Sequence, residues 1–359
     1  MQLLSLPALV RDRVSVDDLV VYAPTAAADA AAARVIRGLP GLRVSGVGGD
    51  ALRRAGCTLG LAPAVLARAT VLPPRAALFC FAPEWMRTAG VALAVRGTRV
   101  LMYGGAESLT DLFAPPEARE RIAIAVTMRD EEETWRRRGF DARYVGHPAA
   151  EIKGMSRTDA REALGLTRAA AAVALLPGSR IGELRANLPY MLDAFEEVRD
   201  RYGAVDARVL LAANLDPRTR AHAEALAQNS GVRTFVVDPE SGVGPLLPAF
   251  DAAMSGPGTA SLEAALADVP PVVLVPSRMR LLSVLGQSIE WQSLPNRVLG
   301  AGFYAEIERG ESAAGSLAEH VLTALDEPAE FKLASARVKR AVGEQQPRER
   351  VGQWLRSWL

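Results

Sequence analysis

At 359 residues the chain is longer than one hydrophobic core usually serves, so two domains are expected. Its composition, 49% hydrophobic and 23% charged, is that of a globular α/β protein, and a formal net charge of +1 leaves no electrostatic footprint for nucleic acid. The longest unbroken apolar stretch, Ala169 to Pro177, falls short of the ~20 residues a membrane helix needs.

The start, MQLLSLPALVRDR, has no basic region ahead of its apolar run and no small-residue cleavage site, so a cytoplasmic location is expected. Strand candidates then follow in order: DLVVYA (Asp18 to Ala23), LRVSGV, AALFCF, TRVLMY, IAIAVT and ARYVG. Helical patterns lie between them, for instance Asp29 to Arg37 and Asp130 to Arg138. Such alternation predicts parallel sheets covered by helices on both faces. Cys57 and Cys80 lie singly in apolar surroundings and read as inert core thiols. His147, His222 and His320 are too far apart for a local metal motif, and no metal or cofactor is implied.

After Gly146-His147-Pro148 the polar stretch EIKGMSRTDAREALGL reads as an interdomain linker. The alternation then restarts with VALLP, a helix over Ile181 to Arg201, ARVLLAA, a helix over Pro217 to Asn229, VRTFVVD, a strand over Asp251 to Met254, and PVVLV. The expected division is therefore residues 1–148, 149–335, and a helical segment over 336–359 that packs back on the first domain. Tryptophans beside arginines in WRRRGF and WLRSWL, together with the stretch from Pro63 to Phe79, are candidate membrane-contact surfaces. For the last, Trp354 and Trp358 stand one helical turn apart, and packing of a final helix is the favoured account.

Two strand-loop-helix junctions carry the chemistry. In AVALLPGSRIGEL, Gly178 permits a tight turn, Ser179 offers an N–H and a hydroxyl, and Arg180 a planar fork suited to phosphate. In AAMSGPGTASLEAAL, Ser255, Gly256, Gly258 and Thr259 make a donor-rich loop, and Glu263 lies one turn into the helix, where it can reach a ribose diol. Dipole complementarity alone would also explain Glu183 and Glu263. Two such junctions suggest a nucleotide-diphosphate site.

The series GHP, LLPGSRIGEL, SGPGTASLEAAL and SLPNRVLGAG (Ser293 to Gly302) resembles the lipid A disaccharide synthase family, in the same order and at similar spacing. VSGVGGDALRRAG and FAPEWMRTAGVALAVRGTRVLMY, in the first half, are similar to further family elements. The resemblance implies a GT-B fold, two Rossmann-like doubly wound domains facing a central cleft. It implies transfer of an acylated glucosamine from a UDP donor to a glycolipid acceptor, at the inner face of the membrane. By the same resemblance Arg180 contacts the diphosphate, Ser255 to Thr259 line the nucleotide pocket, Glu263 holds the ribose and Asn296 completes the UDP site.

Two departures bear on catalysis. The family's glycine-rich AGEASGD is here APTAAAD (Ala23 to Asp29), which keeps only the aspartate among its special residues. The family's proposed general base stands where this chain has Phe81, and a phenyl ring accepts no proton. Glu84 is the nearest substitute carboxylate, with Glu107 and Asp111 as alternatives. A UDP-sugar-binding protein without catalysis, or a UDP-sugar epimerase of the same fold, are the other readings the residues leave open.

Overall fold

The computed structural model describes residues 18–23, 26–37, 39, 41–48, 50–59, 71–82, 84–104, 114–167, 170–238, 241–276, 291–343 and 346–359. The chain forms two units, one of Met1–Pro148 with Gln345–Leu359, the other of Ala149–Glu344.

In the first unit seven parallel strands, β1 (Leu19–Tyr22), β2 (Val44–Val47), β3 (Thr58–Leu59), β4 (Ala76–Cys80), β5 (Arg99–Tyr103), β6 (Ile122–Val126) and β7 (Asp141–Tyr144), run in the order 3-2-1-4-5-6-7. The inner strands β1, β4 and β6 are apolar runs buried throughout, as a sheet covered on both faces requires. The chain winds outward from β1 to one edge, returns, and winds outward from β4 to the other, so the switch of direction falls between β1 and β4.

Helix α1 (Ala26–Arg37) buries Ala28, Ala31, Ala32 and Val35 against one face, alongside Val21, Leu78 and Leu101. Helices α2 (Asp50–Arg54), α3 (Glu84–Val95), α4 (Pro116–Arg119) and α5 (Arg129–Arg137) follow. Trp135, at the end of α5, is fully buried and meets Phe140 edge-on at 5.4 Å, so these two aromatics of WRRRGF belong to the core. Cys57 and Cys80 are buried and form no disulfide, and burial raises the pKa of Cys80.

In the second unit six parallel strands, β8 (Ala171–Leu176), β9 (Val205–Leu211), β10 (Arg233–Val236), β11 (Ala252–Ser255), β12 (Pro271–Val275) and β13 (Glu306–Glu308), run 10-9-8-11-12-13. Half of the expected linker is instead a helix, α6 (Arg157–Leu164). Ser156 caps it by accepting the Asp159 N–H at 3.1 Å, and Gly165 ends it at φ +60°. Its polar composition is that of a solvated helix face, while Ala160 and Leu164 pack with Phe250 beneath the sheet.

Helices α7 (Ile181–Tyr202), α8 (Pro217–Asn229), α9 (Thr259–Leu266), α10 (Leu294–Leu299), α11 (Ala313–Asp326) and α12 (Pro328–Gly343) complete this unit. Leu184, Leu188 and Met191 of α7 meet Leu317 and Val321 of α11 over one face of the sheet. Helix α12 buries Ala334, Val338 and Val342 with Leu262 and Ala265 of α9, so it stays with the second unit, and the chain leaves that unit at Gln345 rather than at 336. Helix α13 (Pro347–Arg356) then packs on α1, with Val351, Trp354 and Leu355 in the first core. The Arg143 guanidinium lies 4.3 Å from the centre of the Trp354 ring. Among the described residues no helix is long and apolar enough to cross a membrane.

Candidate functional site

The two junctions singled out in the sequence leave the carboxyl ends of neighbouring strands. β8 and β11 pair in parallel, with Leu176 opposite Ser255. From β8 the chain winds outward through β9 and β10, and from β11 through β12 and β13, so both loops emerge at the switch point of the second sheet. Open α/β sheets bind their ligands at this place, because the loops diverge there and leave a crevice.

At the first junction Gly178 adopts φ +119°, and a Cβ on it would lie 2.7 Å from the Glu183 Cβ, so only glycine fits. Ser179 and Arg180 are exposed, and Arg180 is the N-cap of α7. Its guanidinium pairs with the Glu183 carboxylate in the first turn of the same helix. The cation is therefore held at the mouth of the loop by an exposed ion pair that an incoming anion can replace at small cost.

At the second junction Ser255 is fully buried, Gly256 half-buried, and Gly258 caps α9 in an extended conformation ahead of the exposed Thr259. Glu263 is half-buried on α9 and its carboxylate accepts the Gly244 N–H. Burial pushes its pKa up to about 7, and the Gly244 bond opposes that rise.

Asn187, which the sequence did not single out, is bonded to the first loop and lies against the second. It is buried in α7, donates from Nδ2 to the Pro177 carbonyl at 2.9 Å, and a Cβ on Gly256 would lie 3.6 Å from the same nitrogen. A polar side chain in register with Leu184, Leu188 and Met191, on the apolar face of the helix, was the available signal.

Asn296 is fully buried at the third position of α10. Its Nδ2 donates to the Tyr304 carbonyl at 2.8 Å and to Glu306 Oε1 at 3.0 Å, and its Oδ1 accepts the Phe303 and Tyr304 N–H groups. All four hydrogen-bonding positions of the amide are filled, so the Asn296 side chain fixes the turn after α10. Glu306 was also missed: it accepts the N–H groups of Gln292 and Ser293 at 3.1 and 2.8 Å and so closes the start of α10. The Leu294 N–H reaches the Pro257 carbonyl at 3.3 Å, which ties this segment to the second junction.

In the first unit Phe81 follows β4 at the corresponding switch point. Its φ of +47° is costly for an aromatic residue, and such strain concentrates at functional positions. The ring lies 5.3 Å from that of Tyr103 and over Gly104, where a Cβ would come within 2.3 Å of it. Asp29, the aspartate retained in APTAAAD, is buried and accepts the N–H groups of Ala51 and Leu52 at 3.0 and 3.2 Å, so it caps α2. Glu84 opens α3, but its side chain lies outside what the structure describes, as do Glu107 and Asp111.

Burial holds the His147 pKa down at about 4, so this imidazole is neutral. Among the described residues no cluster of three or more metal-ligating side chains occurs. A cavity of about 610 Å³ opens at the opposite edge of the second sheet, at the amino ends of β8, β11 and β12. There Arg157 and Arg161 pair with Asp251, away from both junctions.

The family model for lipid-A-disaccharide synthetase matches residues 123–352. A lipid-A-disaccharide synthase from Anaeromyxobacter dehalogenans is 32% identical over 91% of this chain and 94% of its own. In fold, the chain is similar to a glycosyltransferase from Rickettsia africae (TM-score 0.60, 8% identity, 96% of this chain and 99% of that one). It is equally similar to a UDP-GlcNAc 2-epimerase from Neisseria meningitidis (TM-score 0.60, 12% identity, 94% and 99%). At such identities the two structures report a shared GT-B architecture and no choice of reaction. The sequence relationship makes that choice: the chain belongs to the lipid-A-disaccharide synthetase family of glycosyltransferases.

Proposed function

We propose that this enzyme takes a glucosamine-type sugar, acylated in the family, from a UDP donor and transfers it to a glycolipid acceptor at the inner face of the membrane. The observation that carries the reading is the pairing of β8 with β11, which brings the Gly178-Ser179-Arg180 and Ser255-Gly256-Gly258-Thr259 loops to one switch point. Arg180 leaves Glu183 for the diphosphate, and the loop N–H groups at the start of α9 add donors for its oxygens. Glu263 holds the ribose, as an acceptor when ionised and a donor when protonated.

In the transfer, the acceptor hydroxyl attacks the anomeric carbon with inversion, the bond from that carbon to the UDP oxygen breaks, and a base takes the hydroxyl proton. Arg180 and the loop donors stabilise the charge that develops on the leaving UDP. Phe81 cannot be that base, and Glu84 is the substitute this reading names. No cofactor is required, since the UDP-sugar is a substrate.

Calorimetry with UDP tests the donor site: Arg180→Ala and Glu263→Ala each weaken binding, and unchanged affinity in both defeats the reading. Glu84→Gln suppresses transfer while leaving UDP affinity intact, and undiminished turnover removes Glu84 from the mechanism. Phe81, a phenyl ring on a left-handed backbone where the family has its proposed base, favours a second reading, a UDP-sugar-binding protein without transferase activity, which tight UDP binding with no product from lipid acceptors would support. Epimerisation rests on fold likeness alone, and product analysis with donor and no acceptor checks it.

A further inference from the structure

Buried polar side chains almost always have a partner, so orphaned ones mark either strain or a missing ligand. In the second unit the orphaned atoms among the described residues are Arg161 Nε, Arg220 Nε, Ser255 Oγ, Trp291 Nε1, Gln292 Oε1 and Ser293 Oγ. The two arginines are held through their other nitrogens, by the Ala170 and Ala213 carbonyls. The remaining four atoms belong to Ser255 and to three consecutive residues that lead into α10. The Leu294 N–H to Pro257 carbonyl bond ties these two segments together.

Ser293 stands at the N-cap of α10, where a serine hydroxyl ordinarily accepts an N–H from the first turn. Here it makes no such bond, although the residue is fully buried. The second helical position is Pro295, which has no N–H to give, and the Glu306 carboxylate already accepts the N–H groups of Gln292 and Ser293. The N–H of Asn296, at the third helical position, makes no bond to the hydroxyl either, so capping leaves it unused. Ser255, at the end of β11, is equally buried and equally without a partner.

We infer that Ser293 is a donor-site residue, and that its hydroxyl and that of Ser255 hold the diphosphate oxygens of the bound nucleotide-sugar. Phosphoryl oxygens only accept, and a serine hydroxyl supplies the donor. The inference rests on the donor-site reading above. It has a signature that a structural role does not share: each hydroxyl is unsatisfied in the free protein and satisfied in the complex, so removing it has no cost in one state and a cost in the other.

The experiment measures melting of the free full-length protein and calorimetric binding of UDP and of uridine, for the wild type, Ser293→Ala and Ser255→Ala. The expected result is a melting temperature unchanged or raised in both variants, with UDP affinity lowered about tenfold and uridine affinity unchanged. Wild-type binding with undiminished UDP affinity in Ser293→Ala overturns the inference and leaves the donor-site reading standing. So do a lower melting temperature in Ser293→Ala, which would reveal a partner inside the protein, and equal losses for UDP and uridine, which would place Ser293 away from the diphosphate. A wild type that does not bind UDP overturns both.

Discussion

Asn187 Nδ2 donates to the carbonyl of Pro177 at 2.9 Å while facing Gly256 on the neighbouring loop. One amide of α7 thus binds the first loop and lies against the second, which leaves a different strand. Asn187→Ala is expected to cost about 1 kcal/mol of stability in urea unfolding and to weaken UDP binding about fivefold. Asn187→Asp separates positioning from packing. An ionised carboxylate cannot donate to Pro177, so affinity relative to wild type should be lowest at pH 8 and recover as the carboxyl protonates. A flat ratio across pH would contradict the positioning role.

Glu263 makes stability depend on pH in a direction opposite to that of a salt-bridged carboxylate. Its pKa is about 7 in the folded protein against an ordinary 4.5, so the native state binds more protons than the unfolded state between those values. Stability therefore falls as pH rises from 4.5 to 7 and stays reduced above. Glu263→Gln keeps an acceptor for the Gly244 N–H and removes the buried charge. The variant should be more stable than wild type by on the order of 2 kcal/mol at pH 8, a figure that allows for partial exposure, with no difference below pH 4. Denaturant unfolding at the two pH values checks this.

Phe81 and Gly104 are coupled through space, since the ring occupies the volume a Cβ on Gly104 would need. Gly104→Ala should cost about 2 kcal/mol, from its φ of +67° and from the clash. Combining it with Phe81→Ala should cost less than the sum of the two, by about 1 kcal/mol. Phe81→Asp loses the ring contact with Tyr103 but brings in a residue that enters the left-handed region more readily, so its penalty should be smaller than that of Phe81→Val. A thermal-melt series over the five variants tests both statements.

Trp354 is nearly buried where α13 meets α1. Trp354→Ala should destabilise the first unit by about 3 kcal/mol through the cavity it leaves and the lost Arg143 contact. Hydrogen exchange resolves where the loss falls: amides of α1 and β1 should lose protection while those of α7 and β8 keep theirs.

The strands β1, β4, β5, β6, β8 and β11 were legible because each is a short apolar run bounded by turn residues, and burial on both faces is what such runs imply. β3 and β13 were not: Thr58–Leu59 has two residues, and Glu-Ile-Glu at 306–308 is polar at both ends. The stretch after Pro148 misled because α6 exposes most of its length, so its composition resembles a linker while its Ser156 cap and buried Ala160 mark a helix. Gly178 could be placed from its residue type, since its φ of +119° demands glycine. The bonds of Asn296 to Tyr304 and Glu306 were not legible, because sequence does not reveal which partners an amide takes. The left-handed backbone at Phe81 was equally hidden, as nothing in FAPEW calls for it.

The core of the first unit is closed by α13, whose Val351, Trp354 and Leu355 fill it beside α1. Between Pro148 and Gln345 the chain builds a whole second unit before that helix is made. Order of translation and order of completion therefore differ: the unit begun first is finished last, with its α1 face waiting throughout. A ribosome-bound chain released just short of α13 would carry a complete second unit beside an unfinished first one, and protease would cut the amino-terminal half while sparing residues 149–344.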